Sequence, residues 1–250
     1  MIYIGIPVHD EAPTIGVLLW RIRKVFQDFK REYELIVYDD ASTDATPEVL
    51  QPYTEVLPLT VIRGASRIGY GGALDALCRA AARRTRYARR DALVTMQGDF
   101  TDQPDGIPEL IKRFEGGADV VVAEQPPSMG GPTPVRRFRR VAPIVLRPFV
   151  RVPGIGDPFG SFRLYRISVL REAAKAGEGP EAPLVRSTGW AANVELLLRT
   201  SAMARRVESV QLAPRYDIRL RASRVRPWAD ALAVYRFARA ARSLRPARAQ

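Results

Sequence analysis

Glu34-Leu35-Ile36-Val37-Tyr38-Asp39-Asp40-Ala41-Ser42-Thr43-Asp44 is the stretch on which the fold turns. Residues 34–38 read as a strand, and two adjacent carboxylates end it before a turn-rich segment. The same order recurs on either side. A strand at 3–6 runs into Pro7-Val8-His9-Asp10-Glu11 and an amphipathic helix over 15–29. A short helix over 46–53 and a third strand at 59–62 follow, then a Gly-rich turn opens a helix over 69–84. A fourth strand at 93–96 meets Gln97-Gly98-Asp99, and a helix at 107–115 leads to a fifth strand at 119–123. Strands separated by helices imply parallel pairing in a doubly wound α/β sheet with helices on both faces. Ligands of such sheets bind at the carboxyl ends of the strands, where these polar clusters lie.

The second half is less regular. Residues 126–134 are rich in Pro and Gly and read as a loop; residues 136–150 mix Arg with apolar residues. Strands are expected at 159–165 and 206–212, and helices at 190–200 and 228–244. The expected division is a catalytic domain over 1–225 and a basic amphipathic tail over 226–250.

Composition bounds the partners. The chain has 250 residues, 46% hydrophobic and 26% charged, enough for one large α/β core. No apolar run approaches the roughly 18 residues that span a bilayer, and the chain enters a strand at once, so the expected compartment is the cytoplasm. The lone cysteine, Cys78, excludes a disulfide framework and reads as a packing residue. A net charge of +12, nearly all of it arginine and concentrated after residue 215, favours phosphates or anionic lipid. Nucleic acid is not expected, because no helix-turn-helix, zinc ligand set or aromatic RNA-binding strand is present.

Each polar cluster carries a chemical reading. Asp39 and Asp40, at the mouth of a sheet, can accept hydrogen bonds from a base or ribose; Ser42 or Asp44 can instead cap the next helix. Arg67 and the glycines Gly69, Gly71 and Gly72 open a helix, whose amino terminus favours a phosphate. Asp99 can hold Mg²⁺ or Mn²⁺ bridging a diphosphate, whereas Asp102 and Asp105 read equally as turn and cap residues.

Together these clusters resemble the family 2 glycosyltransferases of the GT-A fold, nearest to the polyprenol-phosphate sugar transferases. That group typically carries Pro-Thr-Tyr-Asn-Glu, Asp-Asp-Gly-Ser-x-Asp-Gly-Thr, Gly-x-Gly-x-Ala, Asp-Ala-Asp with a downstream Pro, and Ser-Gly-Phe-Arg-x-Tyr. The counterparts in this chain are residues 7–11, 39–46, 69–73, 97–104 and 160–165, in the same order. The resemblance implies an inverting transfer from a nucleotide-sugar donor. It places the nucleotide on Pro7, Val8, Glu11, Asp39, Asp40, Arg67, Gln97 and Gly98, and a divalent ion on Asp99. Asp99, Arg163 and Glu195 are the implied catalytic residues; Glu195 acts as a base only for a hydroxyl acceptor and otherwise caps its helix or faces solvent. A lipid-phosphate acceptor would meet Arg136, Arg137, Arg140, Ser223 and Arg224, with the basic tail against an anionic membrane.

Three departures stand out. Gln97 replaces the first Asp of Asp-x-Asp, Gln125 replaces an Arg common after the fifth strand, and residues 219–224 match the family's last motif only at Ser223 and Arg224.

Overall fold

The computed structural model describes residues 1–125, 152–177, 182–213 and 227–240, together with Thr133, Arg137 and Ala142. Among them a seven-stranded sheet is formed by β1 (Ile2–Val8), β2 (Tyr33–Asp39), β3 (Leu59–Arg63), β4 (Ala92–Thr95), β5 (Val120–Glu124), β6 (Arg163–Arg166) and β7 (Val207–Gln211). Their spatial order is β3-β2-β1-β4-β6-β5-β7. β1, β2, β3 and β4 run parallel, as do β5 and β7, while β6 lies antiparallel between β4 and β5. The helices are α1 (Ala12–Asp28), α2 (Thr46–Val56), α3 (Gly69–Arg84), α4 (Ile107–Glu115), α5 (Ile167–Lys175), α6 (Gly189–Ser201) and α7 (Pro227–Ala240).

Alternation along the strands divides the core. Ile2, Ile4, Ile6 and Val8 of β1 face α1, α2 and α4, where Leu18, Ile22, Leu50, Leu110 and Phe114 are buried. Tyr3, Ile36, Leu93 and Tyr165 face the other side, against Leu74, Leu77 and Cys78 of α3, Leu170 of α5 and Leu196 of α6. Burial pushes the Cys78 thiol well up, as fits a packing residue. A smaller core joins α6 to α7 through Phe159, Ala191, Val194, Val234 and Phe237. No described helix is long and apolar enough to cross a membrane.

Two elements depart from the sequence reading. The sheet takes only Arg163–Arg166 of the strand expected over 159–165, because side chains rather than a neighbouring strand bind the carbonyls of Pro158 and Phe159. Helix α5 follows β6 directly and was not expected; Ile167, Val169, Leu170 and Ala173 give it a buried face.

Candidate active site

The carboxyl ends of β1, β2, β4 and β7 and the amino end of β6 surround a cavity of about 590 Å³, within the usual range for small-ligand sites. Pro7, Val8, His9 and Glu11 form one wall, Asp40, Arg67 and Tyr70 another, and residues 97–99 the floor between them. The far side is built from Phe159, Ser161, Trp190, Asn193 and Asp230.

The loops after β1 and β2 are laced together. Asp10 adopts φ 52° and Ala41 φ 53°, left-handed conformations that non-glycine residues hold only when their surroundings fix them. Asp10 Oδ1 accepts the Thr43 amide at 2.8 Å, and the Asp10 amide donates to Ser42 Oγ at 3.0 Å. The Thr43 amide, helped by His9, holds the Asp10 carboxyl below its usual range. Asp44 accepts the amides of Ala12 and Thr46 at 3.1 and 2.9 Å, so one carboxylate serves the first turns of both α1 and α2. His9 Nδ1 lies 2.9 Å from the Asp40 carbonyl oxygen. The cap reading of the turn thus holds for Asp44.

The carboxylate pair is split. Asp39 is 1% exposed and turned away from the cavity; Oδ1 accepts the Ser42 amide at 2.9 Å and Oδ2 lies 3.6 Å from Arg63 Nε. Asp40 does line the cavity, and its two oxygens accept the amides of Ile68 and Gly69 at 2.7 and 2.9 Å. Two amides at the amino terminus of α3 are therefore taken by a carboxylate of the chain itself. Gly69 is needed for its φ of +79°, and a Cβ on Gly71 would come 1.9 Å from the Ser187 carbonyl oxygen. Arg67, just ahead of α3, is exposed at the cavity wall.

After β4 the chain passes under β1. Thr14 Oγ1 donates to the Gly98 carbonyl at 2.9 Å, and a Cβ on Gly98 would come 2.7 Å from Val8 Cγ1. Asp99 is buried at the cavity floor, with Oδ1 accepting the Thr101 amide at 3.1 Å, and Phe100 is held at φ 64°. Gln97 Nε2 donates to Ser161 Oγ at 3.1 Å, which donates to Asp102 Oδ2 at 2.9 Å; the Gln97 amide reaches the same oxygen at 2.9 Å. Asp102 is thereby a tie between two loops, beyond the turn residue expected of it.

Two residues expected to act in catalysis do not line the cavity. Arg163 is fully buried. Its guanidinium donates to the carbonyls of Asn193 and Pro158 and, at 3.3 Å, to Tyr165 Oη. Glu195, 2% exposed, accepts the amides of Arg186 and Ser187 at 2.9 and 2.7 Å and Arg199 Nε at 3.1 Å. It neither caps its helix nor faces solvent. In both cases unpaired backbone groups claim the charged side chain. Arg136, Arg140, Ser223 and Arg224 lie outside the described residues, and Arg137 is exposed.

Sequence reasoning gave no role to several wall residues. Tyr70 Oη donates to Asn193 Oδ1 at 2.7 Å, and Asn193 Nδ2 donates to the Phe159 carbonyl at 3.0 Å. Burial raises the Tyr70 hydroxyl far above its usual range, so it stays a donor. Trp190 tilts against Phe159 with ring centroids 6.4 Å apart. Asn193 stands two positions before Glu195 in the same helix, and that neighbourhood was the only available signal.

The family model for "Glycosyl transferase family 2" matches residues 3–173, well over half of the chain. The chain belongs to glycosyl transferase family 2. Among its family 2 relatives is the undecaprenyl-phosphate 4-deoxy-4-formamido-L-arabinose transferase of Photorhabdus laumondii, 30% identical over 121 residues, 46% of this chain and 34% of that one. The dolichol-phosphate mannosyltransferase of Pyrococcus furiosus is 31% identical over 120 residues, 48% of this chain and 32% of that one. The aligned stretches thus span about a third of those curated relatives. In fold, the chain is similar to glucosyl-3-phosphoglycerate synthase from Mycobacterium tuberculosis, solved with Mn²⁺, UDP and glucosyl-3-phosphoglycerate. The TM-score is 0.62 at 21% identity, covering 94% of this chain and 76% of that one. TarS of S. aureus with UDP-GlcNAc gives a TM-score of 0.57 at 19% identity, covering 85% and 57%. The GT-A architecture is thereby shown.

The residues present bear on a family 2 metal. Among the described residues no three His, Cys, Asp or Glu side chains group to hold an ion. Of the two positions of the family's usual pair, only Asp99 is a carboxylate, and Gln97 is committed to Ser161. Mg²⁺ typically takes one or two carboxylates and completes its shell with substrate phosphates and water. The floor fits an ion held jointly with a bound diphosphate rather than by protein alone.

Proposed function

We propose that this chain is the catalytic part of an inverting glycosyltransferase that moves a sugar from a nucleotide-sugar donor to a polyprenyl phosphate at an anionic membrane surface. The observation that carries this reading is the position of Asp99. It is a buried carboxylate on the floor of a cavity at the carboxyl edge of a GT-A sheet, in a family 2 chain. The named activities of the relatives support the acceptor class, and the UDP-GlcNAc and UDP complexes of proteins with this fold support the donor class.

In this reading the nucleoside lies against Pro7, Val8, Glu11 and Asp40, and Arg67 offers a cation at the rim. Gly98, whose missing side chain leaves room for Val8, brings its backbone to the floor beside the diphosphate. A divalent ion shared by Asp99 and the diphosphate would neutralise charge on the departing nucleoside diphosphate. The sugar then faces Ser161 and the Phe159–Trp190 wall, leaving its anomeric carbon open to attack from the Asn193 and Asp230 side. A lipid phosphate is already an anionic nucleophile and needs no strong base. That agrees with Glu195 being held by backbone amides away from the cavity.

A hydroxyl acceptor is the second reading, favoured by one observation: Asp230 is a carboxylate on the acceptor side of the cavity. The deciding assay is radiolabelled sugar transfer to polyprenyl phosphate, polyprenol and soluble glycans, after thermal-shift screening of nucleoside diphosphates with Mn²⁺. Product on polyprenyl phosphate, reduced about 10²–10³-fold by Asp99→Asn, is expected. Product only on a hydroxyl acceptor, abolished by Asp230→Asn, would replace the lipid-phosphate reading.

A further inference from the structure

Helix α7 buries one side and leaves the other in solvent. Val234, Phe237 and Ala238 pack into the small core against α6. Asp230, on the same arc of the helix, reaches the cavity wall. At 100° per residue, Trp228, Leu232 and Tyr235 fall together on the opposite arc, and Arg239 falls among them. These three apolar residues are 82%, 47% and 41% exposed, and Arg236 and Arg239 beside them are exposed too. Trp228 at 82% exposure belongs to no core cluster among the described residues, and a stripe of three large apolar side chains is more than scattered surface hydrophobicity.

Ala238 belongs to the arc opposite this stripe and is fully buried, and residues 241–250 lie outside the described residues. The face is therefore set by Trp228, two residues from a cavity-wall side chain.

From this placement, and resting on the proposed lipid-linked acceptor, we infer that Trp228, Leu232 and Tyr235 of α7 form an interfacial docking face. It seats the cavity mouth on an anionic bilayer. The chemistry favours a bilayer over a protein partner on two counts. Trp and Tyr are amphipathic rings suited to the headgroup boundary, and the flanking charges are all arginine, matching anionic lipid. A helix of 14 residues lying in the plane buries one face only, which leaves Asp230 and the cavity on the protein side. A head group lifted from that interface would reach the acceptor side of the cavity.

The test is co-sedimentation of the full chain with phosphatidylcholine vesicles and with equal mixtures of phosphatidylcholine and phosphatidylglycerol. Wild type should bind the anionic vesicles, with Trp228 fluorescence quenched by brominated lipid. The double variant Trp228→Ser/Leu232→Ser should bind at least about tenfold more weakly. Arg236→Gln/Arg239→Gln should lose about fivefold per arginine and most of the salt sensitivity. Trp20→Ser, which removes an exposed tryptophan of α1, should bind as wild type. Undiminished vesicle binding by the double variant overturns the inference. So does a concentration-dependent dimer that the double variant abolishes while wild type ignores vesicles. Nucleotide thermal shifts in vesicle-free buffer keep the two readings apart. Intact vesicle binding without any nucleotide shift would count against the transferase reading alone, and the reverse against the docking face alone.

Discussion

Gln97 and Ser161 are joined by a hydrogen bond of 3.1 Å from the side-chain amide to the hydroxyl, and that hydroxyl spends its single proton on Asp102. Restoring the family's Asp at this position is therefore not a neutral return to pattern. Gln97→Asp would set a second carboxylate against an oxygen already turned toward Asp102. Two carboxylates sharing one proton raise the affinity of the pair for a further proton. A group whose folded pKa is raised adds stability below its unfolded pKa and loses it as pH rises. The variant should thus be about 1–3 kcal/mol less stable than wild type at pH 7.5 and regain most of that only near pH 3.5, below the ordinary Asp value of about 3.9. Urea titrations at the two pH values decide it; an equal loss at both would contradict the proton-sharing account.

A Cβ added at Gly71 would lie 1.9 Å from the Ser187 carbonyl oxygen, far inside contact distance. Gly71→Ala should destabilise by about 1–3 kcal/mol or more through overpacking, since the obstacle is backbone. Gly72→Ala is the control, because there the nearest atoms belong to the flexible Ile68 side chain at 3.0 Å. Denaturation midpoints of the two variants should separate clearly.

Glu195 accepts the amides of Arg186 and Ser187 on one oxygen. Glu195→Gln should weaken the fold by about 1–3 kcal/mol. Any drop in turnover should accompany the loss of stability and ease at lower temperature. A variant as stable as wild type but inactive at every temperature would return Glu195 to the role of base.

Asp10 ties the first loop to the second, and the Thr43 amide, then His9, keep its carboxyl below the ordinary range. A depressed folded pKa contributes stability above the unfolded value, about 3.9, and that contribution disappears as pH falls through the folded value. Carboxyl NMR should therefore find Asp10 still ionised at pH 4. Asp10→Asn should flatten the acid limb of the stability curve; a midpoint at or above 4 would contradict the latch.

The parts of the fold legible in sequence were those with local signals. Helices α3 and α4 were read with their observed bounds, because a Gly-rich turn or a Pro-containing start opens each. Helix α5 had no such opening: Arg166 in extended conformation passes straight into Ile167. The direction of β6 leaves no trace in its own residues, since direction depends on where the preceding connection lands. Among site residues, identity predicted chemistry but not exposure. Asp40 and Asp99 reach the cavity, while Asp39, Arg163 and Glu195, equally polar, are claimed by neighbouring groups of the chain. Burial of a charge is a tertiary property, fixed by which amides and carbonyls lack partners nearby.

The reversal of β6 also divides the cavity between two stretches of chain that enter it from opposite directions. Forward-running strands deliver the wall nearest Asp40 and Asp99 from their far ends, all within residues 1–106. The backward strand delivers Phe159 and Ser161 from the segment that precedes it. On the proposed reading the first stretch serves the donor and the second the acceptor, so a shift of residues 152–162 would change acceptor fit while the ladder between β1, β2 and β4 keeps its register.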